Sequence, residues 1–276
     1  MSTTLTALSV DDVLHIHTRV CEDFADTTDP VGIGGTRDGG SLLESAVYRQ
    51  HVGFEGKMKY PDPYENAATL TFGLCCGHPF NNGNKRTALV SMLAHLDANG
   101  HSVFGLNQSE LYRMIKAVAT HELGLRTGDR RKRRKEQNYS AREADVEVRE
   151  IAKWLGSQAR KIQRGEQSIT YRQLKQLLAT HGYYLRATKG NSIGIFRKVT
   201  VRTALLKKRE DWKHIGKMGW PGEGKVVPIR ELKTVRRICK LDEPSGCDGR
   251  AFYGDADKIE PFINEYRTVL SRLSKE

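Results

Sequence analysis

The sequence predicts an α+β protein: an all-helical domain, then a small α-β-β-β-α domain, then a C-terminal helix. Three observations carry this. Apolar residues recur at helical spacing through residues 1–164, the pattern changes to strand-like alternation after Gly165, and the positive charge gathers in that same later stretch. At 276 residues the chain suits two domains with sizeable cores. The expected boundaries are 1–164 for the helical domain, 165–242 for the basic domain and 243–276 for a helical tail.

In order, Ser9 with Asp12 reads as a capping box that opens a helix through Phe24, with Val13, Ile16 and Val20 inward. Gly32 to Gly40 is glycine-rich and ends at Ser41, which with Glu44 reads as the cap of the next helix; Asp38 stands out within it. Asp62 and Glu65 read as caps of a helix over 63–76, and Thr87 to Ala98 repeats the helical spacing with Leu89, Met92, Leu93 and Leu96. Asn107 and Glu110 cap a helix expected to end near Leu123-Gly124. Arg130 to Lys135 is an unbroken basic run, either a solvated connector or a contact to RNA or an acidic partner. Ser140 with Glu143 opens a long helix carrying Ile151, Leu155 and Ile162.

Between the helices over 63–76 and 87–98 lies His78-Pro79-Phe80-Asn81-Asn82-Gly83-Asn84-Lys85-Arg86. His78 titrates near neutrality and suits a general base, and Phe80 is placed to bury its ring and hold the loop. Gly83 allows a close backbone approach, the amides of Asn84, Lys85 and Arg86 sit at a helix N-terminus, and Lys85 and Arg86 add charge. A base beside an anion cradle is the chemistry of phosphoryl-type transfer. Singly, each of these residues reads as an ordinary loop or turn residue.

These residues resemble the Fic and death-on-curing (Doc) family, whose signature runs His-x-Phe-x-acid-Gly/Ala-Asn-Gly/Lys-Arg. The resemblance implies that His78 deprotonates a Ser or Thr hydroxyl on a protein target while Gly83, Asn84, Lys85 and Arg86 hold the phosphates of ATP. The family's metal-holding acid falls on Asn82, a neutral and poorer ligand for Mg2+. The second arginine of nucleotidyl-transferring members falls on Leu89, and Lys85 stands where they have glycine. Both changes point to Doc, which implies phosphorylation of a translation component by a toxin or phage-defence effector. Nucleotidyl transfer (AMPylation) by the same site is the close alternative, and a degenerate scaffold that binds nucleic acid is the distant one. In the family the region of Gly32 to Gly40 is a flap that aligns the target; its composition alone reads equally as a surface loop. No self-inhibitory Ser/Thr-x-x-x-Glu-Gly/Asn motif is found, so an antitoxin or inhibitor would act in trans.

After Gly165, Tyr171 to His181 is helical, Tyr183 to Thr188 and Ser192 to Val201 alternate as strands, Lys225 to Pro228 reads as a third strand after an insertion over 202–224, and Arg230 to Leu241 as a second helix. This order resembles HicA-like toxins, which have a double-stranded-RNA-binding type of fold. Their catalytic histidine sits in a Gly-Ser-His turn, where this chain has Gly190, Asn191 and Ser192, and His181 and His214 lie elsewhere. A binding role follows from the resemblance, with Lys189, Arg197, Lys198, Lys233, Arg236 and Arg237 as phosphate contacts and RNA preferred over DNA. A small domain for protein contacts is the alternative. In the tail, Phe262, Tyr266, Val269, Leu270 and Leu273 share one side of a helix from about Pro261.

The net charge is +12, and residues 165–242 hold 18 Lys+Arg against 6 Asp+Glu, leaving 27 of each sign for the rest of the chain. The whole excess lies in that one domain, the electrostatic footprint of a nucleic-acid binder. Five cysteines without Cys-x-x-Cys spacing, no basic-then-apolar leader and no long apolar run point to a reduced cytoplasm, away from membranes.

Overall fold

The computed structural model describes residues 5–27, 35–102, 106–123, 141–161, 167–188, 190–202, 208–247, 249–253 and 259–274. The basic run over 130–135, Ser140, Ile162, Lys189 and the first part of the glycine-rich stretch lie outside the described residues. Two compact units emerge: Met1–Arg164 with Tyr266–Glu276, and Gly165–Glu265. Residues 243–276, expected as one tail, are divided between them.

The first unit is helical: α1 Val10–Phe24, α2 Ser41–Tyr48, α3 Pro63–Cys76, α4 Asn84–Ala98, α5 Gln108–Ala119, α6 Ala141–Gln158 and, at the chain's end, α11 Arg267–Ser274. Two short antiparallel ladders accompany them, β1 Gly53–Phe54 with β2 Lys57–Met58, and β3 His101–Ser102 with β4 Arg160–Lys161. The capping box at Ser9 and Asp12 is formed, Asp62 accepts from the Tyr64 amide, and Asn107 accepts from the amides of Ser109 and Glu110. α5 stops at Ala119, short of the expected end near 123, and Ser41 is no cap: α2 starts from Gly40 (φ 99°), and the Ser41 hydroxyl donates to Asp38 Oδ2 instead.

Helix α3 is buried on every side from Asn66 to Cys75 and packs against α2, α4, α5 and α6. A helix apolar all round belongs at the centre of a bundle. Its neighbour α4 is nearly as buried, so the loop joining them is held at both ends by the core.

The second unit packs α7 Tyr171–Thr180 and α8 Ile229–Ile238 on one face of a three-stranded antiparallel sheet, order β5 Tyr183–Ala187, β6 Ser192–Arg202, β7 Lys208–Gly219, followed by α9 Gly249–Tyr253 and α10 Glu260–Glu265. The α-β-β-β-α order stands, but the third strand is corrected. It is β7, inside the expected insertion, whereas Lys225 to Pro228 makes a single bridge, Val226 to Thr170, flanked by the bonds from Val227 N–H to Ile169 C=O and from Tyr171 N–H to Lys225 C=O. The core joins Leu174, Leu178, Leu185, Ile193, Ile195, Leu232 and Val235 with Phe252 and Tyr253.

Candidate active site

Helix α3 ends at Cys76 with Gly77 as its C-cap, and His78 follows in the left-handed region (φ 46°). Histidine tolerates this conformation better than most side chains, at some cost in strain. The turn leaves the imidazole exposed while Pro79 and Phe80 go into the core. The Phe80 ring lies flat on the His17 imidazole, centroids 3.8 Å apart and planes 7° from parallel. His17 in turn shares a 2.9 Å hydrogen bond through Nδ1 with Thr87 Oγ1, and burial lowers its pKa to about 4, so it stays neutral.

Asn84 completes the anchor. The Phe80 N–H donates to Asn84 Oδ1 and Asn84 Nδ2 donates to the Phe80 C=O, both at 2.9 Å. This two-point clamp occupies the amide side chain, which is buried. The backbone at Asn84, Lys85 and Arg86 is different: Gly83 (φ 73°) starts α4 without any side chain to cap it, and the first helical bond to close is Thr87 N–H to Gly83 C=O. The N–H groups of 84–86 thus form a positive helix end. Lys85 is half-buried, whereas Arg86 is only 2% exposed and stacks its guanidinium over Phe24 at 4.8 Å. Arg86 is therefore part of the α1–α4 packing.

Residues 36 and 37 run beside the loop. Thr36 bridges Phe80 in antiparallel fashion, the Arg37 N–H donates to Pro79 C=O (2.8 Å), and Arg37 Nη2 reaches the Asn81 C=O (3.5 Å). Partial desolvation, then the positive charges of Arg37, His121 and Lys85, hold the His78 pKa below the ordinary histidine value. At neutral pH the ring is a free base. His121, just past α5 in the left-handed region (φ 53°), faces Glu147 Oε2 at 3.4 Å. The thiols beside the loop are no nucleophiles: burial pushes Cys75 up to about 12 and raises Cys76 further.

Asn82 is exposed and offers an amide oxygen where a magnesium site needs a carboxylate; among the described residues no group of three His, Cys, Asp or Glu could hold a metal ion. The donor set does not fit a protein-held Mg2+.

Residues 7–96 match the Fic/DOC family model. The match runs from the start of α1 almost to the end of α4 and so contains the whole loop. Fic/DOC is a family of transferases that act on proteins using nucleotides. No curated protein matches the chain. The Fic/DOC match does not reach residues 165–242, where the HicA-like resemblance lies. No helix among the described residues is long and apolar enough to cross a membrane.

Three residues around the candidate site were missed from sequence: Arg37, His17 and His121. Only His17 left a signal, four positions after Val13 and three before Val20 on the inward face of α1.

In the second unit, Arg197 and Lys198 on β6 and Lys233 and Arg237 on α8 are exposed, and Lys198 pairs with Glu210 at 2.6 Å. The reading of Arg236 as a solvent-facing phosphate contact is corrected. It is 8% exposed, donates from Nε to Leu241 C=O (2.7 Å) and from Nη2 to Cys247 C=O (2.9 Å), and stacks over Phe252 and Tyr253. Lys189 lies outside the described residues.

Proposed function

We propose that the first unit transfers a phosphoryl group from ATP to a Ser or Thr hydroxyl of a protein. The observation that carries this reading is an exposed imidazole held in its neutral form beside the uncapped N-terminus of α4. His78 takes the proton of the target hydroxyl as its oxygen attacks the γ-phosphorus; the bond from that phosphorus to the β-bridging oxygen breaks, and ADP leaves. The amides of residues 84–86 and the Lys85 ammonium hold the phosphates and stabilise the charge that develops on them. The stretch at Thr36 and Arg37, already paired with the loop, offers a backbone edge for aligning an extended target segment.

By the Doc resemblance the target is a component of translation, and restraint comes from an antitoxin in trans. Nucleotidyl transfer would use the same base on the α-phosphorus, with pyrophosphate leaving. Against it, position 89 is a fully buried leucine, so α4 offers no second cation there. Incubating the full-length protein with γ- or α-labelled ATP and a cell lysate tests the reading. Label on protein from the γ position is the expected result. Label only from the α position makes it a nucleotidyl transferase, and none from either overturns the enzymatic reading.

A further inference from the structure

The second unit covers one face of its sheet with helices and leaves aromatic rings on the other. The ladder register puts Tyr184 of β5 opposite Phe196 of β6, and Phe196 opposite His214 of β7, a row that crosses all three strands, about 10 Å. Trp212, two residues along β7, joins it. Ring centroids are 5.6 Å apart for Tyr184 and Trp212 and 5.1 Å for Phe196 and His214. Tyr184 is 52% exposed and Trp212 47%. Rings this large normally turn inward or find a partner.

The next rung of the same face is Arg186, Gly194 and Lys217, two exposed cations flanking a glycine. A Cβ on Gly194 would sit 2.9 Å from the Phe196 ring and 3.3 Å from that of His214, so any side chain there would crowd the rings. On the other side of the aromatic row, Lys198 lies opposite Trp212, its charge met by Glu210. Flat rings on open backbone, bordered by cations, within the stretch 165–242 that holds the chain's whole positive excess, match the two faces of an unpaired nucleotide: an apolar base and an anionic phosphate.

We propose that this open sheet face binds single-stranded RNA, with bases stacked on Tyr184, Phe196 and Trp212 and phosphates met by Arg186 and Lys217. A broad sheet face cannot enter the deep, narrow major groove of an RNA duplex, and in duplex DNA the ring faces of the bases are already stacked on one another; RNA loops and single strands present them splayed out. The surface differs from the set expected from the HicA-like resemblance, which drew on the 189–191 turn, β6 and α8 and loses Arg236 to the core. It stands independently of the transferase reading.

Fluorescence anisotropy of the full-length protein with a labelled oligouridine of about 12 nucleotides tests it, beside an RNA hairpin and the matching oligothymidine. The oligouridine should bind tightest. Trp212→Ala and Tyr184→Ala should each weaken it roughly 5- to 150-fold with the salt slope unchanged, while Trp212→Phe keeps most of the affinity. Arg186→Ala and Lys217→Ala should each flatten the slope of log affinity against log salt by about 0.7. All four positions are on the exposed face, and circular dichroism checks the fold of each variant. Equal or tighter binding of the hairpin or of DNA, aromatic variants that bind like the parent, or no binding at low salt would each overturn the proposal; the last would make the face a protein-docking surface. Transfer of label from ATP, measured in parallel, reports on the first unit separately.

Discussion

Replacing Asn84 with alanine separates two roles for one side chain. The family resemblance makes it a phosphate ligand, whereas its amide is spent on the backbone of Phe80. Alanine removes both 2.9 Å bonds and strands a donor and an acceptor on a residue with no exposed surface. A lost neutral bond costs about 1 kcal/mol net, and a buried group left unpaired about 1–3 kcal/mol. Two coupled losses should then destabilise the first unit by about 2–4 kcal/mol, with part recovered if water enters the loop. Urea unfolding followed by the fluorescence of Trp154, the tryptophan of α6 in that unit, measures this, and hydrogen exchange of the amides at 78–84 localises it. Transfer activity should fall in step with loop protection, and Asn84→Asp, which keeps the acceptor for the Phe80 N–H, should restore some of the protection. If Asn84→Ala keeps parental stability and loop protection but loses ATP affinity, the side chain is a ligand and the clamp is incidental.

Other outcomes follow from the same geometry. Arg236→Ala should destabilise the second unit by about 3 kcal/mol or more, since two charge-assisted bonds to backbone carbonyls, one buried and one part-buried, and two ring contacts go with it, whereas the exposed Arg237→Ala should stay within about 0.5 kcal/mol in the same denaturant titration. The pH profile of transfer should have its acid limb below the ordinary histidine pKa, because His78 works deprotonated and its pKa is lowered. Arg37→Ala removes a positive charge that disfavours the imidazolium, so the limb should move to higher pH; a shift the other way, or none, would mean Arg37 does not act on His78. Asn82→Asp should tighten Mg2+ binding by calorimetry, and unchanged affinity would place the metal elsewhere.

Much of the first unit could be read because its signals are local. Ser9 with Asp12, Asp62 before Pro63, and Asn107 are caps that bond within three residues, and α3 and α4 show their burial in composition. The loop between them was legible as a pattern, but its anchoring was not. The stacking of Phe80 on His17 and the approach of Arg37 join residues dozens of positions apart, and nothing in the spacing of either partner marks it. Arg236 was misread because an arginine in a basic stretch looks solvated, yet its long stem and planar head can lie against aromatic rings. Strand β7 hid behind its own polarity. It carries Arg209, Glu210, Asp211, Lys213 and Lys217, and a register shift at Ile195/Phe196 breaks the alternation near Ile215. Val226 and Val227 looked more strand-like but pair only with the residues before α7.

The central claim is that His78 is the base of a transferase, and the rate of label transfer from γ-labelled ATP to protein by His78→Ala, against the parent at matched concentration and matched circular dichroism, tests it most directly. A positioned general base contributes about 10²- to 10⁴-fold, and an exposed imidazole contributes little to the core, so the variant should fold normally and its transfer rate should fall by that factor. A variant that transfers at the parental rate would contradict the assignment.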